Sequence, residues 1–189
     1  MDGMKELLAR LDLHHGPGFG DHGSRVATLS MALGQNLGLR ESQCQRLWLA
    51  ALVHDVGKTR VDHAILDKRS ALAPDELAEV RKHPDLGYQH LVDSVHKDVA
   101  EAVLCHHEWW DGNGYPSGVS RNQIPLFARI IFVADAFDVM TSPRPYQTRM
   151  EATDAGEELS RSAGRQFDPT VVGAFASLGS DLWEGPPPA

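Results

Sequence analysis

Residues 106–116 read HHEWWDGNGYP, and two local patterns meet in them. On one side, residues 98–110 set Val99, Ala102, Val103, His106 and Trp110 on a single helical face. On the other, DGNGYPSG (111–118) carries three glycines and a proline in eight positions and reads as a loop. An apolar helical stripe therefore runs into two adjacent histidines and then into a turn-rich segment. Neighbouring helical residues diverge by about 100°. By that spacing His106 and His107 are expected to face different sides of a two-metal site rather than one ion.

The same pattern recurs outward along the chain. Residues 41–56 place Cys44, Leu47, Ala51 and His54 on one stripe, with Gly57 as the expected C-cap. Asp55 follows at once, and a charged carboxylate there is costly unless it is paired or bound to a metal. Residues 22–38 carry Val26, Leu29, Leu33 and Leu37 at helical spacing, with Gly38 as the stop. Pro74 with Asp75 and Glu76 marks a helix start. His83 stands before Pro84, where the chain is expected to bend or break. Residues 125–141 put Phe127, Ile131, Ala134, Asp135 and Asp138 on one face of the run containing IIFVADAFDVM. Alternating runs are few and no internal repeat is present, so the expected fold class is all-α. Several helices each deliver one or two imidazoles or carboxylates, which suit divalent metals such as Fe, Mn or Zn.

The composition sets the limits. The chain has 189 residues and 20.7 kDa, enough for one domain with a core of its own. Its ten histidines, against 18 lysines and arginines together, make convergence on a metal worth testing. The net charge of -8 excludes a nonspecific DNA binder and disfavours an anionic membrane surface. A small anionic substrate stays compatible with a locally positive site. The two cysteines form no CxxC pair or disulfide framework, and the charged start MDGMKELLARLDL is no signal peptide. No apolar run reaches the ~18 residues of a membrane span. A cytoplasmic location is expected.

HDVGK (54–58), His83-Pro84, HHEWWDGNGYP (106–116), ADAFDVMTSPRPY (134–146) and AGRQFDP (163–169) together resemble the successive motifs of the HD-GYP family, a branch of the HD-domain phosphohydrolases. The resemblance covers roughly residues 22–175. It implies a helical bundle around a binuclear metal centre and hydrolysis of cyclic di-GMP. The implied ligands are His22, His54 and Asp135 on one side and His83, His106 and His107 on the other, with Asp55 bridging. Fe or Mn is the expected metal, with Zn, Ni, Co and Mg also compatible. Two divalent cations outweigh Asp55 and Asp135, so a phosphodiester would be drawn to the site. Asp55 and Lys58 are the expected catalytic residues. Lys58 would also bind phosphate, from the same helix face as His54 if the helix runs that far. Arg144 would pair with a second phosphate. Tyr115 and Pro116, with Gly114, would touch a guanine or a partner.

Some family members carry a Glu four residues before the first ligand histidine and hold a third metal; here that position is Gly18. Two metals and a linear pGpG product are therefore expected over full breakdown to GMP. Asp138 reads equally as a carboxylate orienting a ligand histidine or as a helix-surface residue. Glu108 is expected near the ligands or in solvent, and Cys105 as a buried inert thiol. His14, His15, His63, His90 and His96 read as structural or solvated. Residues 1–21 form an expected irregular lead-in, 22–180 the HD-GYP domain and 181–189 a Pro-rich flexible tail. The lead-in is too short for a regulatory domain, so the expected enzyme acts alone or answers to a separate protein, such as a GGDEF-type diguanylate cyclase. A homodimer is compatible with this. Two other readings remain: a weakly catalytic module that binds cyclic di-GMP or the cyclase, and a phosphohydrolase acting on another nucleotide such as cyclic GMP-AMP.

Overall fold

The computed structural model describes residues 19–68, 70–142 and 149–179. Within them run α1 (Phe19–Asn36), α2 (Glu41–Leu52), α3 (His63–Leu66), α4 (Pro74–Val80), α5 (His83–Leu91), α6 (Lys97–Cys105), α7 (Leu126–Thr141), α8 (Ala152–Arg161) and α9 (Pro169–Ser177). Short 3-10 turns occupy Val56–Arg60 and Arg121–Gln123. Among the described residues there is no strand, only an isolated bridge between Ala163 and Phe167. The fold is all-α.

Helix α7 forms the middle of the bundle. Its sequence LFARIIFVADAFDVMT is apolar nearly all round, as suits a helix covered on several sides. Ile130, Ile131, Val133 and Ala134 are fully buried, and α1, α6, α8 and α9 pack about it. Asp135 and Asp138 thus project from the most buried helix. A second apolar cluster of Val53, Val56, Leu91, Ala100 and Val103 seats the turn after α2 against α5 and α6. Arg129 ties α7 to α9 by donating from Nη1 to Asp168 Oδ2 at 2.6 Å, while Asp168 Oδ1 accepts the Thr170 N–H at 2.8 Å and caps α9. The AGRQFDP segment also accepts the N–H groups of Trp110 and Asp111 on its Gln166 and Arg165 carbonyls. Its role is to hold the loop beyond His107.

Three boundaries differ from the sequence reading. Helix α2 ends at Leu52, not at 56. Gly57 is therefore no C-cap. It sits in the 3-10 turn, where a Cβ would lie 1.9 Å from the His83 carbonyl oxygen and 2.6 Å from the Gly87 nitrogen. Glycine is needed there because α5 crosses at backbone contact. Helix α6 ends at Cys105, so Trp110 leaves its face. Helix α1 begins at Phe19, so the last three residues of the expected lead-in 1–21 are helical. Gly38 stops the segment as expected, with φ of 79°. The chain does turn at His83-Pro84: α4 ends at Val80, and α5 starts at His83 with Pro84 in its first turn. The rest of the lead-in with Gly18, Arg144, and the tail 181–189 lie outside the described residues. Among the described residues no helix is long and apolar enough to cross a membrane.

Candidate metal centre

Three helices end in the same way. Past α2, His54 Nδ1–H donates to the Ala51 carbonyl at 2.7 Å. Past α4, His83 Nδ1–H donates to the Val80 carbonyl at 2.8 Å. At the end of α6, His106 Nδ1–H donates to the Val103 carbonyl at 2.7 Å. Each imidazole satisfies a carbonyl that the helix end leaves open. Each is thereby fixed as the tautomer whose Nε2 carries a lone pair, the form that ligates a metal.

These Nε2 atoms converge with carboxylates in two groups. One is Asp55, His83, His106 and His107; the other is His22, His54 and Asp135; within each group the ligand atoms lie within 4.8 Å of one another. Asp55 belongs between them. Its Oδ1 lies 3.3 Å from His83 Nε2 and 3.9 Å from His106 Nε2, while its Oδ2 lies 3.5 Å from His54 Nε2. Spacing alone had His106 and His107 facing different sides, but both stand in one group, with ring centroids 4.1 Å apart. The helix ends at Cys105, so the angle between successive helical residues no longer applies. The resemblance also sets His22, His54 and Asp135 apart from His83, His106 and His107; Asp55, which it has bridging, stands in the group of His83 with its Oδ2 turned to His54.

The donor set fits divalent cations. His54 Nε2 and Asp55 Oδ1 are buried and have no hydrogen-bond partner. Burial is costly for both unless a charge partner completes them. Burial, helped by His54 and His83, pushes the His106 pKa down to about 3. Burial beside His106 and His83 likewise holds His107 well below the ordinary histidine range. Both are neutral imidazoles at physiological pH. Burial works to raise the Asp55 pKa, but Lys58, His54 and His83 together hold it well below the usual carboxylate range. Nitrogen and oxygen donors without a thiolate suit first-row divalent metals. Cys105 is half-buried rather than fully buried, stands outside both groups, and burial raises its thiol to about 12.

The surrounding shell orients the donors. Asp138 is the orienting carboxylate, not a surface residue: His22 Nδ1 meets its Oδ2 at 2.7 Å, and Arg25 donates to both of its oxygens. His22 Nε2 points the other way, 3.3 Å from Asp135 Oδ1. Burial would lower the His22 pKa, but Asp135 and Asp138 lift it to about 9. Lys58 reaches the site from the 3-10 turn rather than from an extended α2, and its Nζ donates to Asp55 Oδ2 at 2.6 Å. His63, His90 and His96 are exposed and stand in neither group. His14 and His15 lie outside the described residues.

The loop 111–118 forms one wall. Tyr115 stacks on His107 with ring centroids 4.8 Å apart and an interplanar angle of 26°, and its N–H donates to the His107 carbonyl. Pro116 follows, half-buried. At Gly114 a Cβ would meet Trp109 N at 2.2 Å and His107 O at 2.5 Å, so loop packing accounts for this glycine without a ligand. Glu108, expected near the ligands or in solvent, turns instead to the loop. It is buried, and its Oε1 accepts from the N–H of Ser117 at 2.6 Å and of Gly118 at 3.1 Å. A carboxylate followed at close range by a Gly-rich loop is the signal that could have revealed it.

Comparison with known proteins agrees with this geometry. The HD domain family matches residues 6–171. A cyclic di-GMP phosphodiesterase of Thermotoga maritima is 35% identical over 85% of this chain and 45% of its own length. A 3'3'-cGAMP-specific phosphodiesterase 2 of Vibrio cholerae is 36% identical over 81% of this chain and 30% of its own. The chain thus spans less than half the length of these curated relatives. Among solved structures, a cyclic GMP-AMP phosphodiesterase of V. cholerae superposes with a TM-score of 0.72 at 23% identity, covering 98% of this chain and 49% of that one. The chain belongs to the HD-domain family, in its HD-GYP branch.

Proposed function

We propose that this chain is a metal-dependent phosphodiesterase that opens cyclic di-GMP to linear pGpG rather than breaking it down fully to GMP. The observation that carries the reading is Asp55, which turns one oxygen to His83 and the other to His54 between two groups of donors. That arrangement supports two cations, one held by His22, His54 and Asp135, the other by His83, His106 and His107, with Asp55 shared. Fe or Mn is the proposed pair. Such ions supply Lewis acidity to a phosphoryl group and to an attacking water. The chain's own residues do the rest. The fixed Nδ1 hydrogen bonds hold three imidazoles in place before substrate arrives. Lys58 keeps an ammonium beside Asp55, where it meets a phosphate oxygen or the leaving oxygen. Tyr115 and Pro116, with Gly114 in the loop behind them, form the wall that a guanine meets, and Arg144 is assigned to the second phosphate.

The name of the Vibrio relative supports cyclic GMP-AMP as a second substrate, since its identity to this chain is within a percentage point of that of the Thermotoga phosphodiesterase. For control, the partner class is a GGDEF-type diguanylate cyclase or a separate regulatory protein. The proposed setting is the cytoplasm.

The test is metal analysis and product analysis on one anaerobically purified sample, offered cyclic di-GMP and cyclic GMP-AMP in turn. Two metals per chain and release of pGpG are expected. Metal-loaded protein that leaves both dinucleotides intact would overturn the reading, and three metals per chain would overturn the two-metal assignment.

A further inference from the structure

We propose that Arg81 is a substrate-binding residue that shares with Arg144 the phosphodiester of the cyclic dinucleotide that is not being cleaved; this rests on the phosphodiesterase reading above. Arg81 is exposed at the C-terminal end of α4, two residues before His83. Its guanidinium carbon lies 5.3 Å from the centroid of the Tyr115 ring. The same ring stacks on His107 at 4.8 Å. The two contacts laid end to end put the guanidinium no further than their sum from an imidazole of the centre.

The chemistry of the substrate makes that position useful. A cyclic dinucleotide carries two phosphodiesters on opposite sides of a closed ring. When one is seated at the Asp55 centre, the other stands a ring's width away and brings a second negative charge. In a chain of net charge -8 that charge needs a local cation. A guanidinium resting on an aromatic ring uses its flat face there and keeps its N–H edge for a phosphate, which it can meet through two parallel hydrogen bonds. Among the described residues no carboxylate forms an ion pair with Arg81, so this edge is not already taken up. The short link from Arg81 to His83 sets its distance from the centre through backbone rather than through a mobile loop.

The experiment compares the metal-loaded wild type with Arg81→Ala and Arg81→Lys on two substrates. Cyclic di-GMP has two phosphodiesters; bis(p-nitrophenyl) phosphate has one and so offers Arg81 no second phosphate. Arg81→Ala is expected to raise KM for cyclic di-GMP about tenfold, the scale of one hydrogen bond to a charged group, with kcat within about twofold. Its kcat/KM for bis(p-nitrophenyl) phosphate should be unchanged, which also shows that the variant is folded. Arg81→Lys should recover part of the loss. Calorimetric binding of a phosphorothioate analogue of cyclic di-GMP should weaken in parallel and lose part of its salt dependence. Equal losses on both substrates would assign Arg81 to packing of Tyr115 and overturn the proposal, as would no change on either. A wild type that cleaves bis(p-nitrophenyl) phosphate but neither binds nor cleaves cyclic di-GMP would instead overturn the substrate assignment, and this inference with it.

Discussion

His83 Nε2 and His106 Nε2 face each other at 3.2 Å. Each ring has already committed its Nδ1–H to a carbonyl, so two lone pairs point at one another unless a cation or proton stands near them. Protonating His106 is disfavoured, because burial beside His54 and His83 puts its pKa at about 3. A divalent cation relieves the contact, so metal binding should stabilise the fold. With metal at a hundredfold excess over its dissociation constant, the gain is about 2.7 kcal/mol, or roughly 5–10 °C in Tm for a chain of this size. Thermal melts before and after chelation and Mn(II) addition check this. Identical melts would show that the contact is tolerated without a metal.

Asp138 should matter for metal affinity although it stands in neither group. It accepts from His22 and Arg25, and so orients the His22 ring toward Asp135. Loss of such a carboxylate costs roughly 10–100-fold in metal affinity or activity. Asp138→Asn should show that loss on the side of His22, His54 and Asp135, leaving the other side filled. Metal titration by calorimetry separates the two sites, and full occupancy of both in the variant would contradict the orienting role.

The pH dependence follows from the same residue pair. In the metal-free protein, burial opposes the charged form of His22, but Asp135 and Asp138 raise its pKa above the ordinary histidine value to about 9. Its pairing therefore contributes stability that is full below the unfolded value and is lost as pH rises through about 9. Ligation needs the neutral ring, so binding must expel this proton. Affinity on the His22 side should rise about tenfold per pH unit between pH 7 and 9, then level off. Calorimetry in buffers of different ionisation enthalpy should count about one proton released at pH 7. Affinity that is flat across this range would refute the assignment.

Much of the site could be read from the residues themselves. Helical spacing aligns His54, His106 and Asp135 with the apolar stripes of α2, α6 and α7, whereas His22 follows only from the resemblance; the structure sets His106 in one group and the other three in the second. What the spacing misses is where the helices stop. Gly57 has the appearance of a cap one residue past an apolar stripe, yet its need for hydrogen in place of Cβ comes from His83 and Gly87, far along the chain. His106 and His107 are spaced as if helical, yet the helix ends at Cys105 with its Val103 carbonyl taken by the His106 imidazole. The Gly57 effect is tertiary, and local periodicity contains no trace of the segment that causes it.

Gly57 offers the sharpest steric test. A methyl group there cannot coexist with the His83 carbonyl at 1.9 Å, so α5 must move or the turn must open. Gly57→Ala should cost roughly 1–3 kcal/mol by overpacking and should displace His83 from its group. Denaturant melts give the first quantity, and metal content the second. A folded variant with a full metal complement would mean that the turn and α5 adjust without disturbing the centre.

Glu108 holds the loop that follows it. Its Oε1 accepts both the Ser117 and Gly118 N–H groups, and its Oε2 is buried without a hydrogen-bond partner. Burial raises its pKa, opposed by those N–H groups. Glu108→Ala would leave two loop donors without their acceptor, at a cost of about 2–3 kcal/mol, and would release the loop that stacks Tyr115 on His107. Glu108→Gln keeps a carbonyl oxygen for both donors and removes a buried charge, so its stability should stay close to wild type. If the carboxylate acts only through the loop, Glu108→Ala should raise KM for cyclic di-GMP while metal content stays constant, and Glu108→Gln should restore KM. Loss of metal in Glu108→Ala would instead tie the residue to the placement of His106 and His107 themselves.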